Sequence, residues 1–574
     1  MSRSTHSTKP RSRRAAAAAS LRPDTAARGP AAPRTSDWPE QQRQQLLLLG
    51  LLAGALVLRL PYLNQSLWYD EVVYTGAALN GDLLRWVLTQ DVHPPLYASV
   101  LWLWIHVFGD TEVAVRLPSV LCGIASVAVV FALAGRWFDR RVAFLAAALV
   151  ALSPAHIWYS QENKTNMLML LLTACLVWAA DRAWSSNHRR QWTWVAVTAV
   201  LAPWTNVFAI FVLAAVFLWL WSGALQRRWR SRLRPVIIVT GVAACPFVPL
   251  LFWTLGHLEP MRLSYLRPFT APEVYKLLLI YLSHGNTLRT ISPYAPFRAL
   301  LLQPWPFFLV DGFFGLLLLM GLWQLITRVK AHDAGELQDW RGILPILYFT
   351  VPLVCAFIAS RFNPQLYIER SMLILLPPYL VLIAAGACAW RGPLLRHLMV
   401  AALLVLNGCA LFNLWVAKAD AWTVYKPKND WRSAAQYFAA EMREAKGPLV
   451  LLASVPVSVL VYYDHHIVEM AGPEAAIPEQ AGALIFYLFQ SDKAPLLETL
   501  RRAKADTFYV VEDTYWPGST KQLLARVNAD ADFEPLAARS FKGVRISKFK
   551  WKLGQPGTLA TPDTPTPPRT ATGT

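Results

Sequence analysis

The chain has 574 residues, 55% of them hydrophobic and only 16% charged, with a mean hydropathy of +0.33. Soluble domains carry about 25% charged residues, so a string of soluble domains is excluded, as are collagen, coiled-coil and wholly disordered chains. The net charge of 55 − 36 = +19 comes without zinc-finger spacing or an interleaved basic and aromatic groove, so nucleic acid is not an expected partner. The cations instead crowd into short loops between apolar runs, the pattern of a multi-pass protein in a lipid bilayer.

Residues 1–45 are rich in Ala, Arg, Ser and Pro and read as a disordered basic tail. Its nine Lys and Arg place it in the cytoplasm. The first apolar run starts too late, and lacks the small-residue site, for a cleaved signal peptide. It is expected to remain as an anchor over 46–63. Further spans are expected at 116–138, 142–159, 167–183, 236–255, 307–326, 342–360, 371–390 and 397–416. Cytoplasmic anchors are Arg136/Arg140/Arg141, Arg182/Arg189/Arg190, the cluster over 227–234, Arg328/Lys330/Arg341 and Arg391/Arg396. Residues 93–108 are apolar but short, and a crossing there would turn every later basic loop outward, so they are expected to lie at the outer interface. Residues 192–221 are too long for one untilted crossing, and Pro203-Trp-Thr-Asn206 is expected to break them into two short helices. The sum is eleven crossings, with the N-terminus inside and the C-terminus outside.

The expected fold is therefore mainly α: a polytopic helix bundle over 46–418, an outer-face α/β domain over 419–551 and a flexible Thr-Pro tail over 552–574. In the α/β domain Asp430 reads as the N-cap of an amphipathic helix. Runs 448–452, 483–488, 507–511 and 544–549 read as strands. The six cysteines all lie in or beside apolar runs, without C-x-x-C spacing, and read as small buried hydrophobes.

Charge in hydrocarbon marks function, and here the ionisable residues gather at the outer ends of the spans. The first outer loop, 64–115, holds Asp70-Glu71, Asp82, Asp91, His93, Glu112 and Arg116. The next outer turn holds Gln161, Glu162 and Lys164, and a later one Arg361, Glu369 and Arg370. The middle loop adds His257, Glu259, Arg262, Arg267, His284 and Arg289. A carboxylate can take the proton of an attacking hydroxyl, and Arg or Lys can hold a phosphate as charge builds on it. That combination suits transfer of a group from a lipid phosphate at the membrane surface.

Leu67-Trp-Tyr-Asp70-Glu71 resembles the acidic motif of polytopic glycosyltransferases of the GT-C fold, the group of the protein O-mannosyltransferases and lipid A aminoarabinose transferases. His93-Pro-Pro-Leu-Tyr97, Phe108-Gly109 with Arg116-Leu-Pro-Ser119, and Ser153-Pro154 with Tyr159-Ser-Gln-Glu162 are similar to further motifs of the group, in the same order. Asp430-Trp-Arg432 and Tyr462-Tyr463 resemble the start of its C-terminal outer domain. The resemblance covers 46 to about 547. It implies inverting sugar transfer from a polyprenyl-phosphate donor to a glycan, lipid or protein acceptor on the outer face. By the same resemblance Asp70 would be the base, supported by Glu71. On that resemblance, and with outer residues taken as candidates on charge and position, His93, Arg116, Lys164 and Arg370 would hold the donor phosphate, and Tyr97, Glu112, Gln161, Glu162 and Glu369 would bind substrate. Asp70, Glu71 and outer histidines are candidates for a divalent metal ion. One departure stands out: the group's S-Q-E-x-R-x-Y reads Ser160-Gln-Glu-Asn-Lys-Thr-Asn166 here. Lys for Arg keeps the charge and loses the two-pronged grip on phosphate. A transporter or flippase of lipid-linked glycans would need charges along a path through the spans, where Asp311 stands nearly alone. A non-catalytic scaffold would not need the outer residues to act together.

Overall fold

The computed structural model describes residues 37–79, 94–257, 269–288, 297–331, 337–362, 367, 369–416, 428–453, 457–470, 478, 480–487, 497, 500–503, 505–515 and 520–552. The chain forms two compact units, Met1–Leu49 and Gly50–Thr574. In the first, a helix starts at Asp37, inside the segment read as a disordered tail; it runs to Val57. Everything below belongs to the second.

Eight described helices are long and apolar enough to cross a membrane: Glu112–Trp137, Asn166–Ser186, Val207–Ala224, Arg227–Phe252, Pro306–Val329, Trp340–Phe362, Glu369–Cys388 and Pro393–Val416. Arg140–Leu152 and Pro154–Ser160, bent by 58°, make a ninth if they form one span. The bend is written in Ser153-Pro154. Ser153 is extended, its side chain caps the second helix, and Pro154 sits in the first turn, where its missing N–H costs nothing. The expected interruption of 192–221 is present but displaced. Pro203 stays inside helix Arg189–Thr205, and the break falls at Asn206, which is extended and caps the next turn with its own side chain.

Helix Glu369–Cys388 is buried along almost its whole length. Gly386 lets it close on helix Pro306–Ala331, where an added Cβ would lie 1.9 Å from the Leu317 carbonyl oxygen. Gly321 returns the contact, 2.0 Å from that of Leu382. Small residues at such crossings are what let backbones approach in a bundle. At the end of the bundle away from residues 160–166, Arg136 and Arg341 both pair with the buried Asp181. Trp184, Trp219, Trp229 and Trp340 pack together beside them.

The C-terminal part is a six-stranded sheet: β1 Leu449–Ala453, β2 Ile467–Glu469, β3 Ala483–Tyr487, β4 Thr507–Asp513, β5 Phe533–Phe541 and β6 Val544–Trp551. Their order is β2-β3-β1-β4-β6-β5. Pairs among β1 to β4 are parallel, and β6 runs antiparallel to β4 and β5. Alternate side chains of the parallel strands enter two cores. Leu449, Leu451, Ile485, Tyr509 and Val511 face one, with helix Trp431–Glu444. Val450, Leu452, Leu484, Phe508 and Val510 face the other, with Leu523 and Val527. Asp430 caps helix Trp431–Glu444 as expected, accepting from the Ser433 N–H at 3.1 Å. The first core also takes Leu67, Val72 and Tyr74 and, from helix Leu96–Phe108, Tyr97, Leu101 and Ile105. The short apolar helix thus packs with the sheet unit.

Candidate active site

Helix Tyr69–Leu79 carries two carboxylates in its first turn, where the helix dipole favours negative charge. They meet different surroundings. The Asp70 side chain is 26% exposed and pairs with the buried Lys164, while an Arg370 nitrogen lies 3.6 Å from the same oxygen. The Lys164 ammonium also lies 4.4 Å from the centre of the Trp68 ring. Burial, then the Arg370 charge, lower its pKa against the pull of Asp70 and Glu162. Beside it, Glu162 accepts from the Trp158 indole at 2.7 Å, and its other oxygen is buried without a hydrogen-bond partner. Burial pushes the Glu162 pKa up, with Lys164 and Lys428 opposing. The structure therefore brings Asp70, Glu162, Lys164 and Arg370 into one cluster. Glu369 begins the 3-10 turn that presents Arg370 and is half-buried.

Glu71 and Arg116 have another character. Both side chains are fully buried and form a two-pronged pair, at 2.8 and 2.6 Å. The other Arg116 donors reach the carbonyls of Leu63, Gln65 and Ser66. A guanidinium has five N–H donors, so none remains for a phosphate as the chain stands. The carbonyls it holds belong to a turn in which Tyr62 takes a φ of 67°, a left-handed value that costs a non-glycine residue. Burial works against the Glu71 charge, but Arg116 and Lys428 prevail and bring its pKa down to about 2.

The turn over 160–166 is tied down through its interior residues. Asn163 donates its backbone N–H to Glu71 at 2.9 Å and its amide to Thr75 Oγ1 at 2.9 Å. Tyr97, expected at the substrate, is instead buried, donating to Asn163 Oδ1 at 2.7 Å. Gln161 likewise turns inward, donating to the carbonyls of Arg59 and Pro61. Glu112 accepts from Tyr463 and pairs with Arg432 at 3.0 Å. It joins the bundle to the sheet unit rather than facing the Asp70 cluster. His93, Asp82 and Asp91 lie outside the described residues, as do Glu259, Arg262, Arg267 and Arg289 of the middle loop.

Three contributors are not legible as site residues in the sequence. Asn163 occupies the variable position of its motif. Arg59 is buried at the end of the first helix and donates to His156, Ser160 and the carbonyl of Ala151, which ends a helix at the bend. Lys428 reaches in from beyond the last membrane helix to the Gln161 carbonyl at 2.8 Å and to Glu71 at 3.5 Å. Among the described residues no three of His, Cys, Asp and Glu converge, and Asp70 and Glu71 each already face cations. Those two carboxylates are thus engaged with Lys164, Arg370, Arg116 and Lys428, and the outer His93 lies outside the described residues.

A protein-family profile described as dolichyl-phosphate-mannose-protein mannosyltransferase matches residues 92–253. No curated protein sequence matches the chain significantly. Among solved structures, the apo form of ArnT from Cupriavidus metallidurans is 13% identical with a TM-score of 0.51. The match covers 89% of this chain and 98% of that one. The same protein bound to undecaprenyl phosphate gives 0.52 at the same identity and coverage. The oligosaccharyltransferase of Archaeoglobus fulgidus, also 13% identical, covers 85% of this chain and 72% of its own, with a TM-score of 0.49. The fold is that of the GT-C glycosyltransferases, a multi-pass membrane helix bundle with a small C-terminal sheet unit.

Proposed function

We propose that the protein transfers a sugar from a polyprenyl-phosphate donor to a hydroxyl of a glycan, lipid or protein acceptor at the outer membrane face, with inversion. The observation that carries this reading is the Asp70 carboxylate, part-exposed between Lys164 and Arg370. Before substrate arrives, the two cations are balanced by Asp70. A donor phosphate offers them a second anion, and their attention to it frees Asp70 to accept a proton. The acceptor oxygen then forms its bond to the anomeric carbon as its proton passes to Asp70. The bond from that carbon to the phosphate oxygen breaks, its electron pair leaving with the phosphate towards Lys164 and Arg370. Such fixed charges, aimed where charge develops, supply most of the stabilisation in group transfer. Glu71 and Arg116 set the geometry from below.

The likeness to a protein solved with undecaprenyl phosphate supports a lipid-phosphate donor. A path of charges through the bundle, as a flippase needs, has little support, since Arg59, Asp181 and Asp311 are each tied to neighbours. The test is Asp70→Asn in membranes supplied with radiolabelled polyprenyl-phosphate sugars. Label transfer should fall by about 10²–10⁴-fold while undecaprenyl phosphate binding persists. Near-normal transfer would remove Asp70 from the chemistry and move the base to Glu162.

A further inference from the structure

The contacts of Lys428 are unusual for a residue that begins the C-terminal part of the chain. The side chain is almost fully buried within the bundle face. It grips both halves of the site at once: the Gln161 carbonyl, in the turn that carries Glu162 and Lys164, and the Glu71 carboxylate, on the helix that carries Asp70. The Trp158 ring lies 6.0 Å away. The neighbouring residues lock it in place from the sheet side. Asp430 donates its N–H to the Lys542 carbonyl at 2.8 Å, in the turn between β5 and β6. Gly543 in that turn has a φ of 75°, and a Cβ there would lie 2.7 Å from Asn429 Oδ1. Arg432 donates its backbone N–H to Ser66, and Tyr463 accepts from the Leu67 N–H at 2.7 Å. A chain of contacts therefore runs from the β5–β6 turn through Asn429 and Lys428 to the two segments that hold the candidate base and the phosphate cation.

We infer that Lys428 is a positioning residue supplied by the C-terminal part: by bridging Gln161 and Glu71 it holds Lys164 and Asp70 in register, and makes the donor-phosphate site depend on docking of the sheet unit. This deepens the proposed transferase reading and rests on it for its functional consequence. Losing the ammonium would leave the buried Gln161 carbonyl without that donor and would loosen the 160–166 turn. Arg at the same place keeps a cation and enough reach to renew both contacts.

A pH signature belongs to the same geometry. The charged groups that face Lys428 are Arg116, Glu71 and Glu162. Burial and Arg116 lower its ammonium to about 8, with Glu71 and Glu162 opposing. The bridge is therefore charged below about pH 8 and loses its charge above it, whereas an Arg bridge keeps its charge throughout.

The experiment uses the full chain in lipid nanodiscs with undecaprenyl phosphate as probe, and hydrogen exchange of residues 160–166 without it. Wild type should bind the probe, and binding should weaken above about pH 8. Lys428→Met should bind about tenfold more weakly and exchange faster over 160–166. Lys428→Arg should stay close to wild type and weaken less than wild type above pH 8. Wild-type affinity and exchange in Lys428→Met would overturn the inference. So would Lys428→Arg that behaves like Met or loses affinity above pH 8 as steeply as wild type. If Lys428→Met does not fold, the Arg variant and its pH profile still decide. Failure of wild type to bind the probe would instead count against the donor reading, and the exchange comparison would then judge Lys428 alone.

Discussion

Asp70 and Glu71 are neighbours in sequence, yet only one is in a position to exchange protons with a substrate. Asp70 is part-exposed and paired with cations that, under the proposed reading, a donor phosphate would draw away. Glu71 is sealed beneath it, with Arg116, Lys428 and two backbone N–H groups on its oxygens. Removing one partner of a buried pair leaves an uncompensated charge, at a cost of about 3–5 kcal/mol. Arg116→Ala should therefore lower thermal stability in detergent by that order, while Lys164→Ala and Arg370→Ala should fold normally. Those two should weaken undecaprenyl phosphate binding by about 10- to 100-fold, measured on the purified chain. The Glu71 carboxyl also sets an acid limit. Its folded pKa, about 2, lies below the ordinary 4.5. The stability it contributes is thus fully present above about pH 4.5 and disappears as the pH falls through 2. A pH series of unfolding temperatures should show that loss in wild type, and its absence in Glu71→Gln. In the sequence, Asp70, Lys164 and Arg370 could be gathered at one surface, because all three fall at ends of spans read as outer, but their direct pairing was not legible. Nor were the inward roles of Arg116, Tyr97 and Gln161. Residue type and spacing do not say how many donors a buried side chain has already spent. Lys428 was hidden for a similar reason: nothing in Lys426-Pro-Lys428 marks a side chain that turns inward.

Elements show the same division. The parallel strands β1, β3 and β4 are continuous apolar runs and stand out, whereas β5 has almost every side chain exposed between its ends and β2 is three residues long. Neither carries a period-two signal, so both escaped the sequence reading. The break near Asn206 shows how a side-chain cap, rather than the proline, decides where a helix stops. Packing between membrane helices lies still further from the sequence, since Gly321 and Gly386 are unremarkable glycines until their partner backbones are placed. Gly386→Ala would drive a methyl group into the Leu317 carbonyl, and helices Pro306–Ala331 and Leu376–Cys388 would have to move apart. The expected cost is about 1–3 kcal/mol. A drop in unfolding temperature should be larger for Gly386→Ala than for Gly312→Ala, whose added methyl group meets nothing within 4 Å.

The course of the whole chain through the membrane can be argued from contacts that join distant loops. The Tyr62 hydroxyl donates to the Trp415 carbonyl, so the first helix and the last membrane helix end on the same side. The loop from Asn64 to Glu112 touches the sheet unit at both ends: through Arg432 at Asn64, through Tyr462 at Asp110, and through Arg432 and Tyr463 at Glu112. It therefore begins and ends on that side. Helix Leu96–Phe108, with 13 residues, is ~20 Å long against a hydrocarbon core of about 30 Å, and is not expected to cross. Two helices that end on the same side require an odd number of crossings from one to the other, both counted. The expected eleven crossings would take the eight long apolar helices and the bent pair as one span, together with the apolar run over 46–63 and helix Arg189–Thr205. It starts beside Asn187, which accepts from Trp192, near the end of the bundle that holds Asp181. It ends at Asn206, whose amide donates to Thr165 at 3.1 Å, in the turn that carries Lys164. Single cysteines in an otherwise cysteine-free chain test this. Cysteine at Asp110 or at the half-buried Val207 should react with a membrane-impermeant maleimide from the same face as one at Lys446, and cysteine at Ser186 only from the other. Labelling at Asp110 from the face of Ser186 would mean that helix Leu96–Phe108 crosses, and labelling at Val207 from that face would mean that helix Arg189–Thr205 does not.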